Sequence, residues 1–241
     1  MEPRGPAAYI AELLGTFLLV LAITMVLTVE QGGLNYLDFA VIGLVHAFVL
    51  MLLVHSLGGT SGAHFNPAVT TALAALRKIS PIDAAIYILL QLAGGVAGAL
   101  VTRILLSDEG KGPIHYGAAQ VSQDLLQGKP LPGLLAEALG AFLLMWAIMA
   151  MAVNPRGARD WAGFVIGASL GLGVMMFGPL TGAGFNPARW FGPAVVSGQY
   201  PDAWIYIVGP VLGTVAAAFA YTFLVLEPQK REGEAPIEHL A

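Results

Sequence analysis

The hydropathy of the chain is blocky. Apolar residues run in six stretches, 7–29, 39–57, 82–106, 131–153, 161–177 and 203–226. Each has about the 20 residues that a helix needs to cross a hydrocarbon core. Two shorter segments, 66–76 after the second stretch and 186–196 after the fifth, are too short to span. The order is therefore three spans and one short helix, twice over. The heads of the two halves repeat as well: Ala11-Glu12-Leu13-Leu14-Gly15-Thr16-Phe17 answers Ala136-Glu137-Ala138-Leu139-Gly140-Ala141-Phe142. An odd number of spans per repeat puts the halves in opposite orientations, and in such a plan interrupted helices meet near the membrane midplane, where function resides. The pattern predicts an all-α membrane protein with six transmembrane helices and two re-entrant half-helices. It forms one domain over 1–230: repeat one at 7–106, a linker at 107–130 across one membrane face, and repeat two at 131–226. A polar tail, 227–241, follows. The first stretch carries Glu12 and is followed by five more, so it reads as a retained span rather than a signal peptide.

Composition narrows the function classes. The 241 residues are 57% hydrophobic and 11% charged, against about 25% charged in soluble domains. A net charge of −4 offers no basic surface for nucleic acid, and the absence of cysteine removes thiolate metal sites. His46, His55 and His64 recur every nine residues. At 3.6 residues per turn this puts His46 and His55 on opposite helix faces, so no metal site is expected. Lys and Arg in the connections divide seven (Arg4, Arg77, Lys78, Arg156, Arg159, Lys230, Arg231) to four (Arg103, Lys111, Lys129, Arg189). That bias predicts both termini cytoplasmic in a cell-membrane protein.

The candidate chemistry lies beside the two short helices. Residues 181–194 read Thr-Gly-Ala-Gly-Phe-Asn-Pro-Ala-Arg-Trp-Phe-Gly-Pro-Ala, and 61–68, 120 positions earlier, read Ser-Gly-Ala-His-Phe-Asn-Pro-Ala. Asn is a favoured helix N-cap and Pro a favoured first helical residue, so each copy predicts a loop running into a helix start. The doubled motif, Asn66-Pro67-Ala68 and Asn186-Pro187-Ala188, resembles that of the aquaporins, the water and glycerol channels, and the resemblance extends from about residue 7 to 226. It implies that the two corners meet at the pore centre, aiming two positive helix ends and two amide donors at passing water. That field would oppose cations and break the water chain that protons use.

Glu12 and Glu137 sit inside apolar spans, where a lone charge costs at least ~2.5 kcal/mol. One reading is a proton relay; the other, which their symmetric placement and the resemblance favour, is that each holds its own half's inward loop. Arg189 stands three residues after Asn186, where the first half has Val69. The resemblance places it in the narrowest ring with His46, Val174 and Ala183. The alternative for His46 is a histidine satisfied within the bundle. Gly62, Ala63, His64, Gly182 and Gly184 are expected to line the pore with backbone carbonyls. Small faces at Gly94, Gly95 and Gly98, and at Gly209 and Gly213, are close-packing surfaces.

Some positions depart from the family pattern. Trp190 stands where water-selective members carry a small polar residue and glycerol-conducting members Asp. Ala194 and Tyr206 resemble the water group, Ile207 replaces an aromatic, and Val174 replaces a second histidine. His46 is similar to the histidine of plant vacuolar-type members, some of which conduct ammonia. The expected function is passive water conduction in a lipid bilayer, with ammonia or hydrogen peroxide also passing, ions and protons excluded, no cofactor and no catalysis. The resemblance implies a homotetramer. The alternatives are a glycerol, urea or ammonia facilitator with water secondary, an ion-coupled transporter, which needs a titratable group at the midplane, and a junctional membrane protein.

Overall fold

The computed structural model of the chain describes residues 4–34 and 36–231. The first span, α1 (Pro6–Thr28), continues through a wider helical turn, Val29–Leu34. It is followed by α2 (Phe39–Ser61), the short α3 (Pro67–Ala75) and α4 (Pro81–Leu105). The linker holds two tight turns, Glu109–Lys111 and His115–Gly117, and one helical turn, α5 (Gln123–Leu126). The second half is α6 (Pro130–Ile148), α7 (Ala162–Thr181), the short α8 (Pro187–Ser197) and α9 (Ile205–Tyr221), ending in α10 (Glu227–Arg231). Among the described residues six helices are long and apolar enough to cross a membrane, so the six spans and two half-helices are all present.

Two boundaries differ from the apolar pattern in the same way. The second and fifth spans were expected to end at 57 and 177, yet α2 and α7 run on to Ser61 and Thr181. Once the side chains turn small and polar the hydropathy signal stops, but the backbone stays helical until a residue adopts the left-handed conformation. Gly62 (φ 90°) and Gly182 (φ 75°) do so, each donating back to the carbonyl four residues earlier, the usual glycine stop. The expected tail begins as the short helix α10, and its remainder, 232–241, lies outside the described residues.

Helix contacts repeat with the sequence. α1 packs along α4 and α6 along α9, while α2 and α7 join the halves. Each half-helix leans on the other half: α3 on α9 and α8 on α4. Glycine makes the close approaches possible. A side chain at Gly94 or Gly98 would meet the α1 backbone, and one at Gly213 the carbonyl of Ala138 on α6. Side chains at Gly167 and Gly171 would likewise meet Ala47 and Gly43 across the α2–α7 seam.

Burial is inverted relative to a soluble protein. Large apolar side chains such as Ile10, Leu14, Leu89, Ile104, Leu135, Leu212 and Phe223 are exposed, while Glu12, Gln91, Glu137 and Arg189 are at most 1% exposed. Among the described residues the ion pairs are confined to the surface, Lys111–Asp108 and Lys230–Glu227. An apolar exterior around a polar interior suits a hydrocarbon solvent.

Candidate functional site

Each half builds its inward loop in the same way. After the glycine stop, the loop passes through left-handed residues that are not glycine: Ala63 (φ 52°) and Phe65 (φ 47°) in one half, Ala183 (φ 51°) and Phe185 (φ 50°) in the other. Such conformations are costly for L-residues and persist only where the surroundings hold them. The buried glutamates do the holding. Glu12 accepts from Ser61 Oγ (2.6 Å), the His64 N–H (2.9 Å), the Phe65 N–H (2.7 Å) and Gln91 Nε2 (2.7 Å). Glu137 accepts from Thr181 Oγ1 (2.6 Å), the Gly184 N–H (2.8 Å) and the Phe185 N–H (2.6 Å). The loop phenylalanines are fully buried beside Gly15 and Gly140, where any side chain would strike the ring. Tyr87 and Tyr206 close the braces from the last spans, donating to the carbonyls of Ser61 (2.9 Å) and Thr181 (2.8 Å).

The loops end at the two asparagines. Asn66 Oδ1 accepts from the Ala68 N–H (2.8 Å), and Asn186 Oδ1 accepts from the Ala188 N–H (2.9 Å) and, at longer range, the Arg189 N–H (3.4 Å). With the oxygens committed to the helix starts, the amide nitrogens face the other half. Asn66 Nδ2 donates to Phe185 O (3.0 Å) and Asn186 Nδ2 to Phe65 O (2.8 Å). The exchange butts α3 and α8 together N-terminus to N-terminus. Each NH₂ keeps a second hydrogen, and both asparagines line a narrow central chamber.

Polar and apolar walls alternate around that chamber. His46, Ala63, His64, Gly184 and Arg189 lie on it together with Leu19, Ile23, Leu144 and Ile148. A second, wider cavity opens under the linker, and Arg189 lines both cavities. The arginine therefore marks the passage between them. Its Nη1 donates to Gly117 O (2.7 Å) and its Nη2 to Gly182 O (3.2 Å), while Nε has no partner. His46 Nδ1 lies 2.8 Å from Ile42 O. A carbonyl only accepts, so Nδ1 carries the proton and Nε2, which has no partner, is left as an acceptor. A free N–H donor and a free imidazole acceptor thus belong to two residues that both line the chamber.

The expected site residues are only partly brought together. Asn66, Asn186, His46 and Arg189 share the chamber, but Val174 and Ala183, 1% and 2% exposed, line neither cavity. Of the expected carbonyl-bearing residues, Ala63, His64 and Gly184 reach the chamber. Gly62 is exposed, and the Gly182 carbonyl is occupied by Arg189 rather than left free. Sequence reasoning missed two contributors. Gln91 was visible as an amide inside an apolar span, but only its contact with Glu12 shows what it does. The Gly117 carbonyl that seats Arg189 belongs to the backbone and leaves no mark in the sequence. No cluster of His, Asp or Glu able to hold a metal is present among the described residues.

Six membrane helices around a cavity lined by two half-helix starts define an integral membrane channel. A family model described as Major intrinsic protein matches residues 4–221, and the chain belongs to the major intrinsic protein family, whose members are passive channels rather than enzymes. It is 37% identical over 215 residues to Nodulin-26 of Glycine max, covering 89% of this chain and 76% of that protein. It is 35% identical over 215 residues to Aquaporin NIP1-1 of Oryza sativa subsp. japonica, covering 89% of this chain and 73% of that protein. Among solved structures, the aquaglyceroporin from Plasmodium falciparum superposes with a TM-score of 0.80 at 20% identity, over 94% of this chain and 98% of that one. The resemblance read from the doubled motif is thus borne out for the family and the fold.

Proposed function

We propose that the chain is a water channel that also passes small neutral solutes and excludes ions and protons. The observation that carries this is the reciprocal bonding of Asn66 and Asn186. It leaves one amide hydrogen of each asparagine for the pore, beside two positive helix ends. A water arriving there can give its oxygen to both amides, which turns its hydrogens outward and breaks the donor–acceptor chain a proton needs. Arg189, buried and matched only by carbonyls, adds a fixed positive charge that repels cations. The midplane offers no free carboxylate, because the bonded oxygens of Glu12 and Glu137 serve the loops; this speaks against ion-coupled transport.

The Arg189 and His46 pair supports a filter that takes solutes able both to accept and to donate. Water, ammonia and hydrogen peroxide meet that condition at small diameter. Apart from these two, His64 and the two asparagines, the chamber wall is mainly aliphatic, with no phenyl or indole face for a polyol to slide along, so glycerol passes poorly. The basic residues favour cytoplasmic termini in a cell membrane, and the family resemblance favours a homotetramer with one pore per subunit. Stopped-flow assays on proteoliposomes test the proposal. Water, ammonia and peroxide should enter faster than into protein-free liposomes, and glycerol should not. Water flux equal to that of empty liposomes would overturn the function. Rapid glycerol entry would overturn the solute order.

A further inference from the structure

Trp190 is the residue that the family pattern leaves unexplained, and the two halves of the molecule explain it when compared position by position. Its counterpart in the first half is Thr70. There a polar chain runs from His64 Nδ1 to Thr70 Oγ1 (3.1 Å), from Gln91 Nε2 to Thr70 Oγ1 (2.9 Å) and from Gln91 Nε2 on to Glu12 (2.7 Å). In the second half only the glutamate is kept, as Glu137: His64 is replaced by Gly184, Thr70 by Trp190 and Gln91 by Pro210. The indole is 3% exposed and stacks on Tyr206 with ring centroids 5.7 Å apart and planes 6° apart. Room exists because Gly184 has no side chain; a Cβ there would strike Tyr206 and Glu137. One large ring fills space that three polar side chains occupy in the first half.

We infer that Trp190 is a positioning residue for the filter, acting through Tyr206 on the loop that seats Arg189. The path is short and closed. Trp190 follows Arg189 directly on α8 and stacks on Tyr206, whose hydroxyl donates to Thr181 O (2.8 Å). The next residue, Gly182, supplies the carbonyl that accepts from Arg189 Nη2 (3.2 Å). In the first half the corresponding brace rests on hydrogen bonds and can be met by any residue that bonds equally well. Here it rests on packing, so it depends on a flat aromatic ring that can stack on Tyr206. The indole Nε1, buried without a partner, indicates that the ring is kept for its shape rather than for its N–H.

The inference rests on Arg189 acting as the filter, and the test separates the two ideas. Trp190→Phe keeps the stack and removes the N–H; Trp190→Thr installs the first-half residue without its His and Gln partners. Tyr206→Phe keeps the stack and removes the hydroxyl that holds Thr181. The readout is the ratio of urea to water permeability in proteoliposomes, for variants shown monodisperse in detergent. Wild type and Trp190→Phe should share one ratio, while Trp190→Thr and Tyr206→Phe should raise it several-fold with water flux largely kept. If Trp190→Thr does not fold, Tyr206→Phe decides alone. An unchanged ratio in the folded threonine variant, or in Tyr206→Phe where that variant decides alone, overturns the inference, as does an equal rise in Trp190→Phe. A wild-type protein without water flux would instead defeat the channel reading itself.

Discussion

At the scale of single residues, the two buried glutamates state most clearly how the site is held. Glu12 meets four donors and Glu137 three, all from the inward loops and their neighbours. A buried donor left unpaired costs about 1–3 kcal/mol. Glu12→Leu should therefore prevent stable folding, seen as aggregation in detergent. Glu12→Gln keeps one acceptor oxygen and should yield a folded, weaker channel whose water flux does not respond to pH. A folded Gln variant that had lost a pH-dependent flux would point to a proton relay and away from this account. Both glutamates were legible as symmetric intruders in apolar helices, and the asparagine caps were legible from Asn-Pro. The seat of Arg189 was not. A backbone carbonyl such as Gly117 O carries no residue identity, and spacing from an anchor cannot say whether Val174 or Ala183 turns toward the lumen.

At the scale of elements, the helices were readable to within a turn where hydropathy ends with the helix, and misread where it does not. α2 and α7 outrun their apolar stretches because Gly58, Gly59 and Thr60 in one, and Gly178 and Pro179 in the other, remain inside the helix until Gly62 and Gly182 stop it. Pairing of elements was legible through glycine alone. Gly94 and Gly98 lie against Leu13 and Phe17 of α1, and Gly213 against Ala138 of α6. Gly213→Leu should therefore separate α9 from α6. Overpacking typically costs about 1–3 kcal/mol, and here the obstruction is backbone, which cannot yield by a rotamer change. We expect a lowered melting temperature in detergent for Gly213→Leu and almost no change for Gly59→Ala, since a side chain at Gly59, inside α2, meets nothing within 4 Å. Equal losses at Gly213 and Gly59 would show that packing does not govern these glycines.

At the scale of the molecule, the two halves are alike in plan and unequal in chemistry. The first turn of α3 has Val69 where that of α8 carries Arg189, and by spacing from the asparagines Ile166 stands where the first half has His46. One end of the pore is therefore polar and charged, and the other is largely aliphatic, although a single fold serves both. Under the proposed function this asymmetry concentrates selection at one constriction and leaves the remaining length to the asparagines and the loop carbonyls. Cation and proton exclusion, as proposed, then come from fixed groups, Arg189 and the two helix ends, with no moving part required. The most direct measurement loads one preparation of proteoliposomes with a pH-sensitive dye and follows water by light scattering and protons by fluorescence. Osmotic shrinkage should be much faster than in protein-free vesicles, while an imposed pH gradient should decay at the protein-free rate. Fast water flux accompanied by rapid collapse of the pH gradient would contradict the account, because the paired Asn66 and Asn186 would then not interrupt the water chain.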